Sequence, residues 1–374
     1  MQRRDFIKLV TAGSALFAIS PRLQAAQVEE AEVPWDSYRL TYQVDLPESG
    51  KKARLWLPMP DRVDTGHQLV HGDVWSGNAT KAAFQTLPGA SVPLFYAEWS
   101  GRAKTAGARS VTVSSIVKTT ERRVDLGSYP RSVGALPQEV KKFMQPTLPV
   151  ASLKLLRESS QAVIGAAQAV TPLEKARAIY DWVVENTRYD PLAKGVGQAA
   201  GQGEAAQFLK AGSLAGKSAD INALFVSLAR AAGIPAREHY GIRVDESKYF
   251  QCMGKLGDIS RAQHCRAEFY LAGMGWIPVD PADVRKVMLE ENLPSTDARV
   301  IALREKLFGA WEMNWVAFNQ AREIKLAADS AVGRLPFFLY PHAEIDKQVQ
   351  DSFDPARFSY QITSAELVGT GAKF

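Results

Sequence analysis

Cysteine is scarce in this chain: 374 residues contain two, Cys252 and Cys265. A pair allows at most one bridge, so a disulfide framework is excluded as the source of stability. The five histidines (His67, His71, His239, His264, His342) are scattered. With the two cysteines they match no zinc-ligand spacing. A phosphate-cradling glycine loop and a dinucleotide fingerprint are both missing. No cofactor and no metal are therefore expected. Basic clusters interleaved with aromatics are also missing, which argues against a nucleic-acid partner.

Long apolar runs are absent as well. The one run near the N-terminus, in MQRRDFIKLVTAGSALFAISPRLQAAQ, is short and mild. Arg3-Arg4 precede it, and small residues end it at Ala25-Ala26. A membrane span needs about 20 apolar residues, so a cleaved secretory signal over 1–26 is the better reading. The arginine pair resembles a twin-arginine export signal. The expected location is periplasmic or otherwise exported, with no transmembrane segment in the mature chain. Arg3, Arg4, Lys8 and Arg22 against Asp5 account for +3 of the net charge of +5, leaving a nearly neutral +2.

What is present is a sequence that changes period. From Trp35 to Leu126 it reads as strands. YRLTYQVDL (38–46), KARLWLPMP (52–60), VPLFYAEW and RSVTVSSIVKTTERRV are rich in β-branched and aromatic residues, and turn formers separate them. A β domain over 33–135 is expected. Helical spacing begins after Pro137. Thr171, Pro172 and Glu174 make a capping box for a helix whose face carries Leu173, Ala176, Ile179, Tyr180 and Val183. A glycine-rich approach leads into a second helix with Ile221, Leu224, Phe225 and Leu228 on one face, stopped by Gly233-Ile234-Pro235. AREHYGIRV reads as a strand and HCRAEFYLAGMGWIPVDPAD as a hairpin. The core is expected over 140–283. A helical C-terminal extension over 284–374, including VRKVMLEEN and the run from Asp297 to Ile324, ends in the strand RFSYQITS. Trp311 and Trp315, at i, i+4 spacing, are expected to pack as core.

Three residues carry chemistry. Ser218 opens the second helix, where the positive end of the dipole favours negative charge. His264 starts one hairpin strand and Asp280 ends the other. A base beside a nucleophile, oriented by an acid, is the logic of acyl transfer. Spacing alone leaves plainer roles open: Ser218 as a helix cap, His264 as a satisfied strand histidine, Asp280 as a turn residue before Pro281.

GKSADINALFVSLARAAGIPAR followed by QHCRAEFYLAGMGWIPVDPAD resembles the core of the transglutaminase-like superfamily, in its papain-related bacterial branch. Gly216, Asp220, the Gly233–Arg237 stop, His264, Glu268, Gly275, Trp276, Pro278, Asp280 and Pro281 carry the resemblance, over roughly 171–283. It implies an α+β fold, a helix packed on an antiparallel sheet. It also implies a Cys-His-Asp triad that forms a thioester and passes the acyl group to an amine or water. His264 would be the base and Asp280 its orienter. The nucleophile position holds Ser218, a departure from the pattern.

A serine hydroxyl is a far weaker acid than a thiol and holds no resting negative charge. Three readings follow. The chain is a weak or inactive transglutaminase-like protein, a pseudoenzyme, binding a peptide or envelope polymer in the cleft. Or it is an active Ser-His-Asp amide or ester hydrolase or acyltransferase. Or it is a structural envelope protein that binds a partner and no small substrate. Cys265, next to His264 on a strand, points to the opposite face, and Cys252 lies in a loop-like segment. Neither is expected to replace the serine. Asp220 suits the first helical turn whether or not it serves the site. Asn222 is expected at a helix-surface or hairpin contact. Glu268 is expected to share His264's face and line the cleft, Gln263 and Arg266 to share the other face, and Trp276 to pack under the hairpin.

Overall fold

The protein was studied as a computed structural model. It describes residues 34–63, 65–100, 109–130, 134–145, 150–193, 205, 209–210, 214–355 and 357–367. The expected signal segment, 1–26, lies outside them, as does most of the glycine-rich approach.

The strand reading of the N-terminal region holds. β1 (Asp36–Leu46) buries Tyr38, Leu40, Tyr42, Val44 and Leu46, every second residue, because one face of its sheet meets the core. β2 (Lys52–Pro58) is buried from Ala53 onward and does not alternate. Its two faces meet different clusters: Leu55 and Leu57 join the core around β1, while Trp56 packs with Leu94 and Phe338 on the other side. β3 (Gln68–Gly77), β4 (Lys81–Leu87), β5 (Val92–Ser100) and β6 (Arg109–Thr119) complete this region.

Among the described residues five helices have eight or more residues. α1 (Val150–Ala166) and α2 (Pro172–Asn186) precede α3 (Ser218–Ala231). The capping box of α2 is formed as read: Glu174 N–H donates to Thr171 Oγ1, and Thr171 N–H donates to Glu174 Oε2. A third sheet follows from β7 (Ala236–Arg243), β8 (Gln263–Leu271) and β9 (Gly275–Val279), and α4 (Pro281–Glu290) leaves its end. The hairpin β8–β9 turns at Gly273, whose φ of 84° suits glycine.

The C-terminal region corrects the helical expectation. α5 (Ala298–Lys306) is helical, but the chain then turns to strands, with β10 at Trp315–Asn319. Gly309, at φ 128°, leaves helical space. Beyond it the residues find a stronger partner in a sheet: β10 pairs with β7, and the third sheet runs β9-β8-β7-β10. Trp311 and Trp315 are buried, as expected of core, but on extended backbone rather than on a helix. β11 (His342–Ile345) pairs with β2, and β12 (Ser359–Glu366) lies beside β1. Strands from the last third thus extend both N-terminal sheets, one running β12-β1-β6-β3 after an edge strand at Gly257–Asp258. The fold class is α+β with antiparallel sheets.

One apolar cluster joins α2 and α3 to β8 and β9, and a second joins β1, β2 and β6 to Tyr240, Ile242, Cys265 and Val316. The third sheet is therefore covered on both faces, and the site lies where α3 crosses it.

Candidate active site

The N-terminus of α3 is built around a missing side chain. A Cβ on Gly216 would come within 2.7 Å of the Asp220 Cβ. That space is used by the Asp220 carboxylate, whose Oδ2 accepts from Lys217 N–H at 2.9 Å. Asp220 thus caps its own helix. Lys217 is the capping residue, and Ser218 is the first residue inside the helix, which corrects the plain reading of Ser218 as the cap.

Ser218 instead faces β8. Its Oγ accepts from the backbone N–H of Cys265 at 3.2 Å. One turn later, Asn222 Nδ2 donates to the backbone carbonyl of Cys265 at 2.7 Å and to Asp280 Oδ1 at 3.2 Å. Two polar side chains at i, i+4 therefore clamp both backbone groups of one strand residue. Asn222 is fully buried, so of its two expected positions it takes the hairpin contact and not the helix surface. Sequence reasoning did not foresee its bond to Asp280. The signal was a lone amide four residues after Ser218, between apolar positions.

His264 and Asp280 come together as the hairpin order suggested: His264 Nε2 lies 2.6 Å from Asp280 Oδ2. A carboxylate only accepts, so Nε2 carries the proton and Nδ1 is left as the basic nitrogen. Ser218, His264 and Asp280 are all buried, at 6%, 3% and 0% exposure. Among the described residues no hydrogen bond joins Ser218 to His264. Asp280 also caps α4, accepting from Asp283 N–H at 3.2 Å.

Cations surround the pair. Arg243 binds Asp283, and Arg266 Nε stands 3.7 Å from Asp280 Oδ2. Burial lowers the His264 pKa, and the positive charge of Arg243 adds to the effect, so the imidazole is held neutral. Burial opposes ionisation of Asp283, but Arg243 overcomes it and the carboxyl lies well below its usual range. His264, Asp280 and Asp283 offer three donor atoms within 4.8 Å of one another. Both carboxylates are already engaged by arginine, so the group fits an ion-pair network better than a metal centre.

Two predicted neighbours are elsewhere. Glu268 does not line the cleft. It is fully buried against Arg122, Arg237 and His239. Arg266 shares the face of His264, as the two-residue strand period requires, and lies over the Trp315 ring at 4.9 Å. Gln263, expected on a common face with Arg266, lines the cleft instead. Trp276 stacks against the guanidinium of Arg237 at 3.9 Å. Gly241 is paired with His264 across β7 and β8, and its bare backbone admits the Trp315 indole, which donates to the His264 carbonyl at 3.1 Å.

Both cysteines are free. Cys265 is buried, and burial pushes its thiol well up. Cys252 borders the cleft with His264, but burial and Glu291 push its thiol to about 12, far from a thiolate.

Ser218 and His264 open on adjoining clefts. One, of about 610 Å³, is lined by Lys217, Ser218, Tyr340 and Phe353. The other, of about 660 Å³, is lined by His264, Arg243, Cys252 and Lys248. They share Tyr189, Arg261, Gln263 and Lys286. No helix of the described residues is long and apolar enough to cross a membrane.

Comparison with known proteins agrees with this fold. Residues 160–281 match the family described as the transglutaminase-like superfamily. An uncharacterized protein of Haemophilus influenzae is 33% identical over 349 residues, 87% of this chain and 90% of that one. A solved structure from Cytophaga hutchinsonii, named as a candidate cysteine protease, superposes with a TM-score of 0.55 at 16% identity, covering 91% of this chain and 94% of that one. That likeness shows the fold. The periplasmic domain of TgpA from Pseudomonas aeruginosa aligns over 73% of this chain and 93% of its own at 16% identity, with a TM-score of 0.32, too loose to carry an argument.

Proposed function

Starting from a chain that belongs to the transglutaminase-like superfamily, we propose that Ser218 stands at the nucleophile position and that the protein is an exported, weak or inactive acyl-transfer scaffold which binds a peptide or envelope polymer. The observation that carries this is the Ser218 hydroxyl. Its oxygen accepts from Cys265 N–H rather than sharing a proton with His264. The His264–Asp280 pair is intact beside it. In a thiol enzyme a thiolate and an imidazolium would stabilise each other. Here the nucleophile supplies no resting anion, and burial with the charge of Arg243 outweighs the Asp280 and Asp283 carboxylates, so His264 is held neutral.

The neutral imidazole favours a second reading. A serine hydrolase needs a neutral base that takes the hydroxyl proton during attack. With Nε2 tied to Asp280, Nδ1 would have to receive it. That step requires Ser218 to turn away from Cys265 N–H, giving up about 1 kcal/mol of hydrogen bond. Export rests on the arginine pair and short apolar run of the N-terminal 26 residues. The division into a β domain (33–135), a core (140–283) and a C-terminal extension (284–374) belongs to the same reading.

Ser218→Cys and Ser218→Ala, assayed with the parent for amine incorporation, deamidation and peptide or ester cleavage, test this. The expected result is negligible turnover in the parent and in Ser218→Ala, with a rise of about a hundredfold or more in Ser218→Cys. Parent activity that Ser218→Ala abolishes would overturn the inactive reading and establish the hydrolase.

A further inference from the structure

Buried polar atoms without a partner gather at this site. Among the described residues eight side-chain atoms are buried and unpaired, and five belong to Asn222, Arg243, Gln263, Arg266 and Asp283. Two of these residues line the clefts, and both orphaned atoms are donors. Arg243 is 3% exposed; its Nη2 binds Asp283, while Nη1 has no acceptor. Gln263 Nε2 is likewise unmatched. Two cations join them. Lys286 is largely buried and borders both clefts, with its nearest carboxylate, Glu290, 3.9 Å away. Arg261 is exposed, borders both clefts, and has no ion pair among the described residues.

Six cations and three acids line the two clefts together. Of the acids, Asp220 is turned to its own helix start, and Glu246 and Glu290 are exposed. A buried guanidinium donor and amide donor without acceptors are costly unless something supplies oxygen atoms. A planar carboxylate matches a guanidinium edge with an ammonium and an amide beside it. Desolvated cations at the end of a cleft bind such a group more strongly than surface lysines do.

We propose that the junction of the two clefts is a carboxylate subsite made by Arg243, Gln263, Lys286 and Arg261, so that the ligand is a peptide with a free carboxylate close to the acyl group presented to Ser218. The inference rests on the reading of the cleft as a substrate site but not on turnover. A neutral or cationic peptide leaves the orphaned donors unmatched, which gives selectivity a physical basis.

The test is calorimetric binding to the full-length Ser218→Ala chain, so that hydrolysis cannot intrude, with the parent measured alongside. The probes are N-acetyl-γ-glutamyl-alanine amide with a free α-carboxylate and the same peptide with an α-carboxamide, at low salt. The acid form is expected to bind about tenfold tighter or more. Lys286→Met and Gln263→Leu should abolish the difference, and Lys286→Arg should keep it. Arg261→Gln, at an exposed position without an ion pair among the described residues, should reduce it severalfold. Equal affinities, binding of neither peptide, or discrimination that survives in Lys286→Met or is unchanged in Arg261→Gln would each overturn the proposal. Loss of the acyl-transfer reading in the Ser218 assays would leave this result standing.

Discussion

β8 carries two buried ionic clusters on one face, four residues apart, and they differ in kind. Around Glu268, Arg122 and Arg237 reach the carboxylate, His239 Nε2 lies 2.8 Å away, and Arg122 also donates to the Trp276 carbonyl. The guanidiniums are covered by the rings of Trp311 and Trp276. No buried orphan is found among these side chains. Around His264, the same kinds of residue leave orphans on Asn222, Arg243, Arg266 and Asp283, and the cluster opens on two clefts. Burial opposes ionisation of Glu268, yet the two arginines and His239 hold its carboxyl well below the ordinary range. The comparison teaches that a closed, satisfied ion cluster is architecture, tying the N-terminal β region to the hairpin. An under-satisfied one beside a cavity is a candidate site.

The largest effect separating the two should come from Glu268→Gln. It leaves two largely buried arginines without their carboxylate, and a loss of about 3–5 kcal/mol is expected in denaturant unfolding. A loss below 1 kcal/mol would show that the cluster does not hold the fold. Asp280→Asn comes next. It weakens the His264 anchor while an amide can still cap α4, so about 1–3 kcal/mol is expected, again by denaturation.

Acid should act on both regions. Burial lowers the pKa of His239 and His264, and it lowers His67 to about 4. The unfolded chain binds these protons first, near pH 6.5. The stability they contribute is present above that pH and is lost as pH falls toward 4. Thermal midpoints should drop by several degrees across that window, and His67→Gln should flatten the slope. A flat profile in the parent would contradict neutral burial. The smallest effect belongs to Ser218→Ala, which removes one acceptor from Cys265 N–H and should cost about 1 kcal/mol in thermal unfolding. A much larger loss would make Ser218 a structural clamp before anything else.

Much of this was legible early. The α2 capping box, the β7 strand, the β8–β9 hairpin and the meeting of His264 with Asp280 all followed from period, caps and turn residues. The stretch from Phe308 to Ile324 did not. Its aromatic spacing suits a helix as well as a strand, and only pairing with β7 decides between them. Arg266 was placed on the wrong face, and the two-residue period of β8 corrects it. Glu268 kept its face but not its role, because its partner Arg122 comes from a region 146 residues earlier.

By itself the sequence determined the local elements, the order of serine, histidine and aspartate, and a serine at the opening of α3, since these depend on neighbours a few residues apart. Tertiary structure alone decided that Ser218 faces Cys265 N–H, that Asn222 holds Asp280, and that unpaired donors converge between two clefts. Those outcomes depend on desolvation and on the crossing of α3 over β8, which no local spacing encodes.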